Sequence, residues 1–212
     1  MAKQSILRDK IKEHLLLQIQ NGALKVGKTI NLAALSRDTG VSVTPIREAL
    51  SQLEQAQVLQ ARPNRGFVVA KLSKTEVKNL IEIVAQLEVM ALENSVFNFD
   101  EMDLLNTLQT KMENTESTAE GLAIRYNFHN QLVRHCTNKI LLQILKDLKL
   151  RLHFYEHDFI QDFLFFKKLS MQTRSVVEAI QEDNVPTAAL ILRMHWMSIL
   201  EHIGGQIHIN NG

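Results

Sequence analysis

The chain has 212 residues, 45% of them hydrophobic, with only eight glycines and three prolines. This length fits one large domain or two small ones, and the apolar content is enough for a packed core, which excludes extensive disorder. The net charge of +1 conceals an uneven distribution: residues 1–72 hold 11 Lys and Arg against 5 Asp and Glu, whereas residues 73–212 hold 13 against 18. The sequence therefore predicts two domains, of which the basic first one suits a polyanion.

The composition also indicates the compartment. Cys136 is the single cysteine, so no internal disulfide can form, and its helical surroundings predict a small buried apolar side chain. The first ten residues, MAKQSILRDK, lack the apolar core of a signal peptide, and no stretch reaches the ~18 uncharged apolar residues of a membrane span. We therefore expect a cytoplasmic protein with no membrane partner.

The first predicted element is an amphipathic helix over residues 5–20. One stripe of this helix carries four apolar residues at a spacing of four: Leu7, Ile11, Leu15 and Ile19. Gly22 follows the last turn and predicts its end.

Two short helices with a tight turn between them are predicted next. Leu32 and Leu35 suit a short helix that ends in a turn at Gly40. Thr44 then offers a hydroxyl cap, with Pro45 at the first helical position, where a missing N–H costs nothing. The second helix has one buried face at the spacing i, i+3, i+4, i+7, formed by Ile46, Ala49, Leu50 and Leu53.

Polar residues of this second helix fall outside its buried face. Arg47, Ser51 and Gln52 are therefore free to meet a ligand, and a helix with an arginine and short polar groups near its N-terminus can enter the DNA major groove. A predicted two-stranded hairpin follows, and its tip carries Arg62 and Arg65. This layout is a winged helix-turn-helix. The alternative, an ordinary helical hairpin inside a core, does not explain the arginine-tipped wing or the basic charge.

The rest of the chain is predicted to be helical. The winged unit ends near Val69, and residues 70–72 form the predicted linker. Ser73 and Glu76 then form a capping box at the start of a helix. That helix continues with apolar residues at helical spacing: Val77, Leu80, Val84, Leu87 and Ala91.

Further helices are predicted at about 100–114, 118–136, 138–162, 166–182 and 185–204. Asn184 caps the last of these, with Pro186 inside its first turn. Strand-like alternation is absent after residue 72. The predicted fold is mainly α: a winged helix-turn-helix in residues 1–72 and an antiparallel all-α helical bundle in residues 73–212.

The run GVSVTPIREALSQLEQAQVLQARPNRGFVV resembles the N-terminal DNA-binding domain of the GntR family of bacterial transcription regulators. The preceding LLLQIQNGALKVGKTI is similar to that family's first helix and its link to the second. The helical remainder resembles the FCD-type effector domain of the FadR subgroup. The resemblance implies an operator-binding homodimer, not an enzyme, in which residues 73–212 bind a small-molecule effector and dimerise.

The resemblance also implies DNA contacts in the second helix of the winged unit. Arg47 occupies the position that reads DNA, where an arginine can pair with guanine O6 and N7, although a surface salt bridge is the alternative. Ser42 and Thr44 lie at the helix N-terminus, where hydroxyls and backbone N–H groups suit phosphate. The family usually has arginines where this chain has Val43 and Ala33, so its consensus operator does not transfer. Val43 can still contact a thymine methyl.

Four residues of the wing are further candidates for DNA contact. At its tip, Arg65 suits the groove and Gly66 allows a close approach. Asn64 and Arg62 are also candidates, although both can serve only to shape the turn.

Many FCD-type domains hold a divalent metal with an Asp, a His four residues later and two His on later helices. By resemblance, these positions correspond to Arg125, His129, Thr173 and His195. Two of the four ligands remain, a zinc site normally needs three or four donors, and a cation replaces the anion. We therefore expect no cofactor, and zinc or nickel would have only His129 and His195 as ligands.

The same four residues are instead predicted to contact a carboxylate effector directly. The guanidinium of Arg125 matches a carboxylate in a bidentate fork, and Thr173 and the two histidines can donate hydrogen bonds. The alternatives are an Arg125 turned to solvent and histidines that are hydrogen-bonded core residues.

Two other classes of protein remain open. A metal-binding helical protein or an enzyme would use the histidines His129, His153, His157 and His195, but it has no use for an arginine-tipped wing. A structural nucleoid protein would bind DNA without sequence preference. The sequence favours a sequence-specific regulator, by family default a repressor.

Overall fold

The computed structural model describes residues 2–20, 24–25, 27–63 and 66–209. The chain forms two compact units, Met1–Leu72 and Ser73–Gly212. Within the described residues, no helix combines the length and apolar character that a membrane crossing requires.

The first unit is the predicted winged helix-turn-helix. Its elements are α1 (Ala2–Gln20), β1 (Thr29–Ile30), α2 (Leu32–Thr39), α3 (Val43–Gln55), β2 (Leu59–Arg62) and β3 (Gly66–Val69). The three strands form an antiparallel sheet in the order β1-β3-β2, with Phe67 of β3 opposite both Ile30 and Ala61. The sequence did not predict β1, because two residues are too few for an alternating pattern.

The predicted buried face of α3 is confirmed. Ile46, Ala49, Leu50 and Leu53 are all fully buried. The helix packs against α1, whose Ile11 and Leu15 are also buried, and each such side chain contributes about 1.5–3 kcal/mol through loss of apolar surface. Leu7 is half-buried, whereas Gly22 and the side chain of Ile19 lie outside the described residues.

The turn between α2 and α3 is confirmed, but the predicted cap is wrong. Gly40 ends α2 with φ +66°, a left-handed conformation that favours glycine. The N-cap of α3 is Ser42 and the helix begins at Val43, so Thr44 and Pro45 lie within its first turn. Pro45 is tolerated there because the first N–H groups of a helix have no intrahelical partner.

The second unit consists of helices in its described part. They are α4 (Lys74–Glu93), α5 (Phe99–Asn114), α6 (Thr118–Leu132), α7 (Lys139–Phe159), α8 (Phe163–Gln181) and α9 (Val185–Ile209). Helix α9 packs against α4 and α8, α7 packs against α4, and α5 packs against α6 and α8. The predicted fold class is confirmed.

Several helix ends differ from the prediction. The structure ends α6 at Leu132 instead of 136 and α7 at Phe159 instead of 162. It begins α8 at Phe163 instead of 166, because Asp162 caps the helix by accepting a hydrogen bond from the N–H of Leu164 at 2.8 Å.

The other predicted helix caps are confirmed. Ser73 and Glu76 form the capping box of α4, in which Glu76 Oε2 accepts from the N–H of Ser73 at 2.8 Å. The side chain of Asn184 accepts from the N–H of Thr187 at 3.1 Å at the start of α9. Cys136 is buried and unpaired, as predicted.

Candidate functional site

The N-terminal half of α3 exposes the predicted DNA-contacting residues. Ser42, Thr44 and Arg47 are exposed, and Val43 exposes 39% of its surface although it is apolar. A groove of about 450 Å³ runs along this face, and Arg8 of α1 contributes to its wall together with six residues of α3: Thr44, Arg47, Glu48, Ser51, Gln52 and Gln55. Apart from the carboxylate of Glu48, this face combines cations, hydroxyls and amides, which are the groups that contact phosphates and base edges.

The described part of the wing places Arg62 and Gly66 opposite each other. Arg62 ends β2, and its guanidinium donates to Gln60 Oε1 at 3.1 Å. Gly66 begins β3 with φ +74°, a conformation that another residue would adopt only with strain. The predicted contacts of Asn64 and Arg65 lie outside the described residues.

The second unit buries a set of ionisable side chains among α4, α6, α7 and α9. We call it the charge cluster, and its members are Glu88, Arg125, His129, Lys149, Glu156 and His195. Buried charges are costly unless each is paired and hydrogen-bonded. The contacts within the cluster meet this requirement in two halves.

One half of the charge cluster is centred on Arg125. Its Nη1 donates to Glu156 Oε1 at 2.6 Å and its Nη2 donates to His195 Nε2 at 3.0 Å. The guanidinium carbon also lies 4.9 Å from the centre of the Trp196 ring, a cation–π contact. With 2% of its surface exposed, Arg125 is not turned to solvent, so that alternative is wrong. Its positive charge is paired with a carboxylate of the protein.

The other half is centred on Glu88. Its Oε2 accepts from Nδ1 of His129 at 2.8 Å and from Nε1 of Trp196 at 2.7 Å. Its Oε1 accepts from Nζ of Lys149 at 3.0 Å, and the same ammonium group donates to the backbone carbonyl of His129 at 2.7 Å. Glu88 thus joins α4 to α6, α7 and α9.

Burial and pairing set the charges of the cluster. Burial raises the pKa of Glu88, but the interactions with His129 and Lys149 outweigh it and hold the pKa at about 2. Burial also raises the pKa of Glu156, and Arg125 and His153 bring it to about 2. Both carboxyls are therefore ionised at neutral pH.

Burial favours the neutral form of the two histidines of the cluster. Burial lowers the pKa of His129 and brings the pKa of His195 well below 6.5. Since a carboxylate only accepts and a guanidinium only donates, His129 carries its proton on Nδ1 and His195 accepts on Nε2. The remaining nitrogens, Nε2 of His129 and Nδ1 of His195, have no partner among the described residues.

The predicted effector residue Thr173 makes its hydrogen bonds elsewhere. Its hydroxyl lies 2.8 Å from Gln109 Oε1 and 2.9 Å from the carbonyl of Ser170. The structure thus brings Arg125, His129 and His195 together and gives Thr173 partners on α5 and α8.

The four residues at the family's metal-ligand positions, Arg125, His129, Thr173 and His195, do not fit a zinc or nickel centre. No group of three His, Cys, Asp or Glu among the described residues is arranged to hold a metal ion. Nε2 of His195 already accepts from Arg125, whose charge repels a second cation. His153 stacks on Tyr126 with ring centres 4.3 Å apart, and the side chain of His157 lies outside the described residues.

Sequence reasoning missed three members of the charge cluster: Glu88, Lys149 and Glu156. A usable signal existed for two of them. Glu88 follows Ile81 and Val84 at helical spacing, so it continues the buried stripe of α4, and Lys149 lies between the buried Leu145 and Leu152. A charge within an apolar stripe indicates a buried pair.

Two family models match the chain. The model described as bacterial regulatory proteins, gntR family, matches residues 7–69, and the model of the FCD domain matches residues 79–198. Together they account for both units of the structure.

Several transcription regulators are similar to this chain in sequence. The uncharacterized HTH-type transcriptional regulator YdhC of Bacillus subtilis is 29% identical over 197 residues, which are 87% of this chain and 85% of that protein. The HTH-type transcriptional regulator McbR of Escherichia coli is 33% identical over 103 residues, which are 49% of this chain and 46% of that protein. The Nta operon transcriptional regulator of Aminobacter aminovorans is 26% identical and covers 85% of this chain and 89% of its own.

Solved structures share the fold. The structure of E. coli McbR/YncC has a TM-score of 0.81 at 22% identity and covers 95% of this chain and 98% of its own. A putative GntR regulator from Rhodococcus sp. RHA1 has a TM-score of 0.82 at 14% identity over 97% of this chain and 99% of its own. These structures share the fold, and the two family models show that the chain belongs to the GntR family of bacterial transcription regulators and carries an FCD effector-binding domain.

Proposed function

We propose that the protein is a cytoplasmic repressor that binds a pseudo-palindromic operator as a homodimer and responds to a small carboxylate effector. The observation that carries the DNA-binding part is the exposed N-terminal half of α3, where Arg47 and the hydroxyls of Ser42 and Thr44 stand outside the buried stripe. Helices of this kind enter the major groove by their N-terminal end.

The residues of α3 have separate tasks in this proposal. Arg47 pairs with a guanine in the major groove, which gives sequence preference. Ser42 and Thr44 hold phosphate at the helix N-terminus, which fixes the register, and Val43 contacts a thymine methyl. Arg62 and Gly66 of the wing lie against the adjacent backbone or groove, and the sequence assigns the same task to Asn64 and Arg65.

The names of two relatives support repression as the direction of control. One is a probable D-xylose utilization operon transcriptional repressor of Paenarthrobacter nicotinovorans, 23% identical over 146 residues. The other is the HTH-type transcriptional repressor GlaR of E. coli, 27% identical over 187 residues. A repressor needs only to occupy its promoter, and no nucleophile or metal centre is required.

The charge cluster supports a carboxylate as the effector. Its two cations, Arg125 and Lys149, are each held by a carboxylate of the protein, Glu156 and Glu88. A ligand carboxylate offers these cations the same chemistry and can compete for them. Arg125 and His195 are hydrogen-bonded to each other and the ring of His129 lies 5.2 Å from that of His195, so these three residues respond to the ligand together, and Thr173 supports α8 beside them.

DNA binding by the purified protein tests the proposal. The first duplex covers the DNA directly upstream of the protein's own gene, and the control duplex has the same composition in shuffled order. We expect affinity for the upstream duplex to exceed that for the control by about 10³-fold or more at physiological salt. Transcription from the upstream duplex should fall when the protein is added. Equal affinities for both duplexes would instead indicate a nucleoid-type protein, and an increase in transcription would overturn repression.

A further inference from the structure

A pocket of about 320 Å³ lies between α6 and α7. Three of the residues that line it are cationic: Arg134, in the turn that follows α6, and Lys146 and Lys149 of α7. No acidic side chain lines it among the described residues. The pocket therefore presents positive charge although the unit as a whole is acidic.

The remaining walls of the pocket are of two kinds. Val133, Leu142 and Leu145 supply apolar surface, and Val133 and Leu145 are themselves buried. Tyr126 and Asn130 add a phenol and an amide. Small-molecule sites commonly have about this volume and combine apolar walls with a few polar groups that fix orientation.

The burial of Lys149 distinguishes this pocket from a shallow depression lined by exposed lysines. Only 4% of its surface is exposed, yet it contributes to the wall. Its ammonium group donates to Glu88 Oε1 and to the carbonyl of His129, so two of its three N–H donors are in use. A ligand oxygen that takes the third donor, or displaces Glu88, gains a charge-assisted hydrogen bond inside the protein.

We propose that the pocket between α6 and α7 binds a small carboxylate with an apolar body, with Lys149 and the exposed cations Arg134 and Lys146 as its anion-binding groups. This inference rests on the proposed function, because it assigns the effector of the FCD domain to a place in the fold. The apolar walls favour an organic carboxylate over an inorganic anion, which cannot use them.

The contacts of Lys149 give the ligand a route to other helices. When Lys149 turns toward a bound carboxylate, its bond to Glu88 weakens. Glu88 also accepts from His129 and Trp196, so its position affects α4, α6 and α9 together. Helix α4 begins directly after residues 70–72, the segment that joins the helical unit to the DNA-binding unit. Ligand binding thus acts on the helix next to that segment.

Trp196 reports this change, since it is the single tryptophan of the chain and donates to Glu88. The full-length protein is titrated with benzoate, hexanoate and succinate, which share a carboxylate but differ in body. Benzamide is the uncharged control for benzoate, and inorganic phosphate at equal ionic strength is the control for unspecific anion binding. We expect the tryptophan emission to change saturably with at least one of the three carboxylates and with neither control.

Variants locate the binding. Arg134 and Lys146 are exposed, so the double variant Arg134→Gln/Lys146→Gln should fold, and Lys168→Gln removes an exposed cation on α8 as the matched control. We expect carboxylate affinity to fall about tenfold or more in the double variant, as for loss of a charge-assisted hydrogen bond, and to stay unchanged in the control.

Three results would contradict carboxylate binding in this pocket. They are no response to any of the three carboxylates, an equal response to phosphate or benzamide, and undiminished affinity in the double variant. Binding of the unliganded protein to its upstream duplex is measured in parallel. If the protein binds its upstream duplex specifically but does not respond to a carboxylate, only the proposed ligand pocket is refuted. If it does not bind that duplex specifically, the proposed function is refuted.

Discussion

The guanidinium of Arg125 donates to Nε2 of His195 at 3.0 Å in the interior of the helical unit. The lone pair that a metal ion would need is therefore in use, and the proton of His195 is on Nδ1. Arg125 also donates to Glu156 at 2.6 Å, so this one side chain of α6 links its helix to both α7 and α9.

Removal of Arg125 should destabilise the helical unit strongly. In Arg125→Ala, Glu156 becomes a buried carboxylate without its guanidinium partner and keeps only the distant contact with His153 at 3.9 Å, so we expect the free energy of unfolding to fall by about 3–5 kcal/mol. Urea denaturation measures this loss. The control Arg193→Ala, an exposed arginine on α9, should change it by no more than about 0.5 kcal/mol.

A double variant separates the ion pair from simple packing. Arg125→Met/Glu156→Leu removes both charges with similar volume and should be more stable than Arg125→Ala. If both variants lose the same stability, the unpaired charge is not the cause.

Stability should decrease in acid in two stages. The unfolded chain takes up a proton on His195 near pH 6.5 whereas the folded chain resists it, so stability starts to fall below about pH 7. The pKa values of Glu88 and Glu156 are about 2 in the fold against the ordinary 4.5, so a second decrease follows between about pH 5 and pH 2.

Urea denaturation at several pH values checks both stages. Glu156→Gln should show a smaller second decrease, and Glu93→Gln, at an exposed position at the end of α4, should keep the full profile. A Glu156→Gln protein with an unaltered acid profile would contradict the assignment.

Chelation should leave the protein unchanged. Nε2 of His195 accepts a hydrogen bond from Arg125, and the hydroxyl of Thr173 is hydrogen-bonded to Gln109. We therefore expect elemental analysis to find no stoichiometric zinc or nickel. The melting temperature should be the same with and without EDTA. The double variant Arg125→Asp/Thr173→His restores the ligand set that the family resemblance implies, and it should gain metal binding. Stoichiometric metal in the natural protein that is lost in His195→Ala would refute this account.

Local signals were sufficient for much of the fold. The capping box of Ser73 and the turn at Gly40 depend on residues a few positions apart, and the buried face of α3 follows from its own periodicity. The pairings within the charge cluster could not be predicted in this way. Glu88 meets His129, Lys149 and Trp196 at separations of 41, 61 and 108 residues, which only the packing of α4 against other helices determines.

The α3 cap shows a second limit of local reasoning. Both Ser42 and Thr44 are good cap residues, and the pattern alone favoured Thr44 because Pro45 follows it. The extended backbone of Ser42 after the Gly40 turn starts the helix two residues earlier.

The protein should be a dimer in solution. A single winged unit contacts only a few base pairs, so two copies are needed for the specificity that a genome demands. Sedimentation equilibrium at micromolar concentration should give about twice the 24.2 kDa of one chain. A mass of one chain over this concentration range would contradict the prediction.

Selection from a randomised DNA pool, with the natural protein and Arg47→Ala side by side, tests sequence-specific binding through α3 most directly. The natural protein should enrich an inverted repeat, and Arg47→Ala should lose the preference at one base pair of each half-site, a discrimination of about 1–3 kcal/mol. Arg37→Ala, at an exposed position of α2, removes the same charge and should keep the enriched sequence. If the natural protein enriches no sequence, or if Arg47→Ala enriches the same inverted repeat with undiminished preference, α3 does not read the operator.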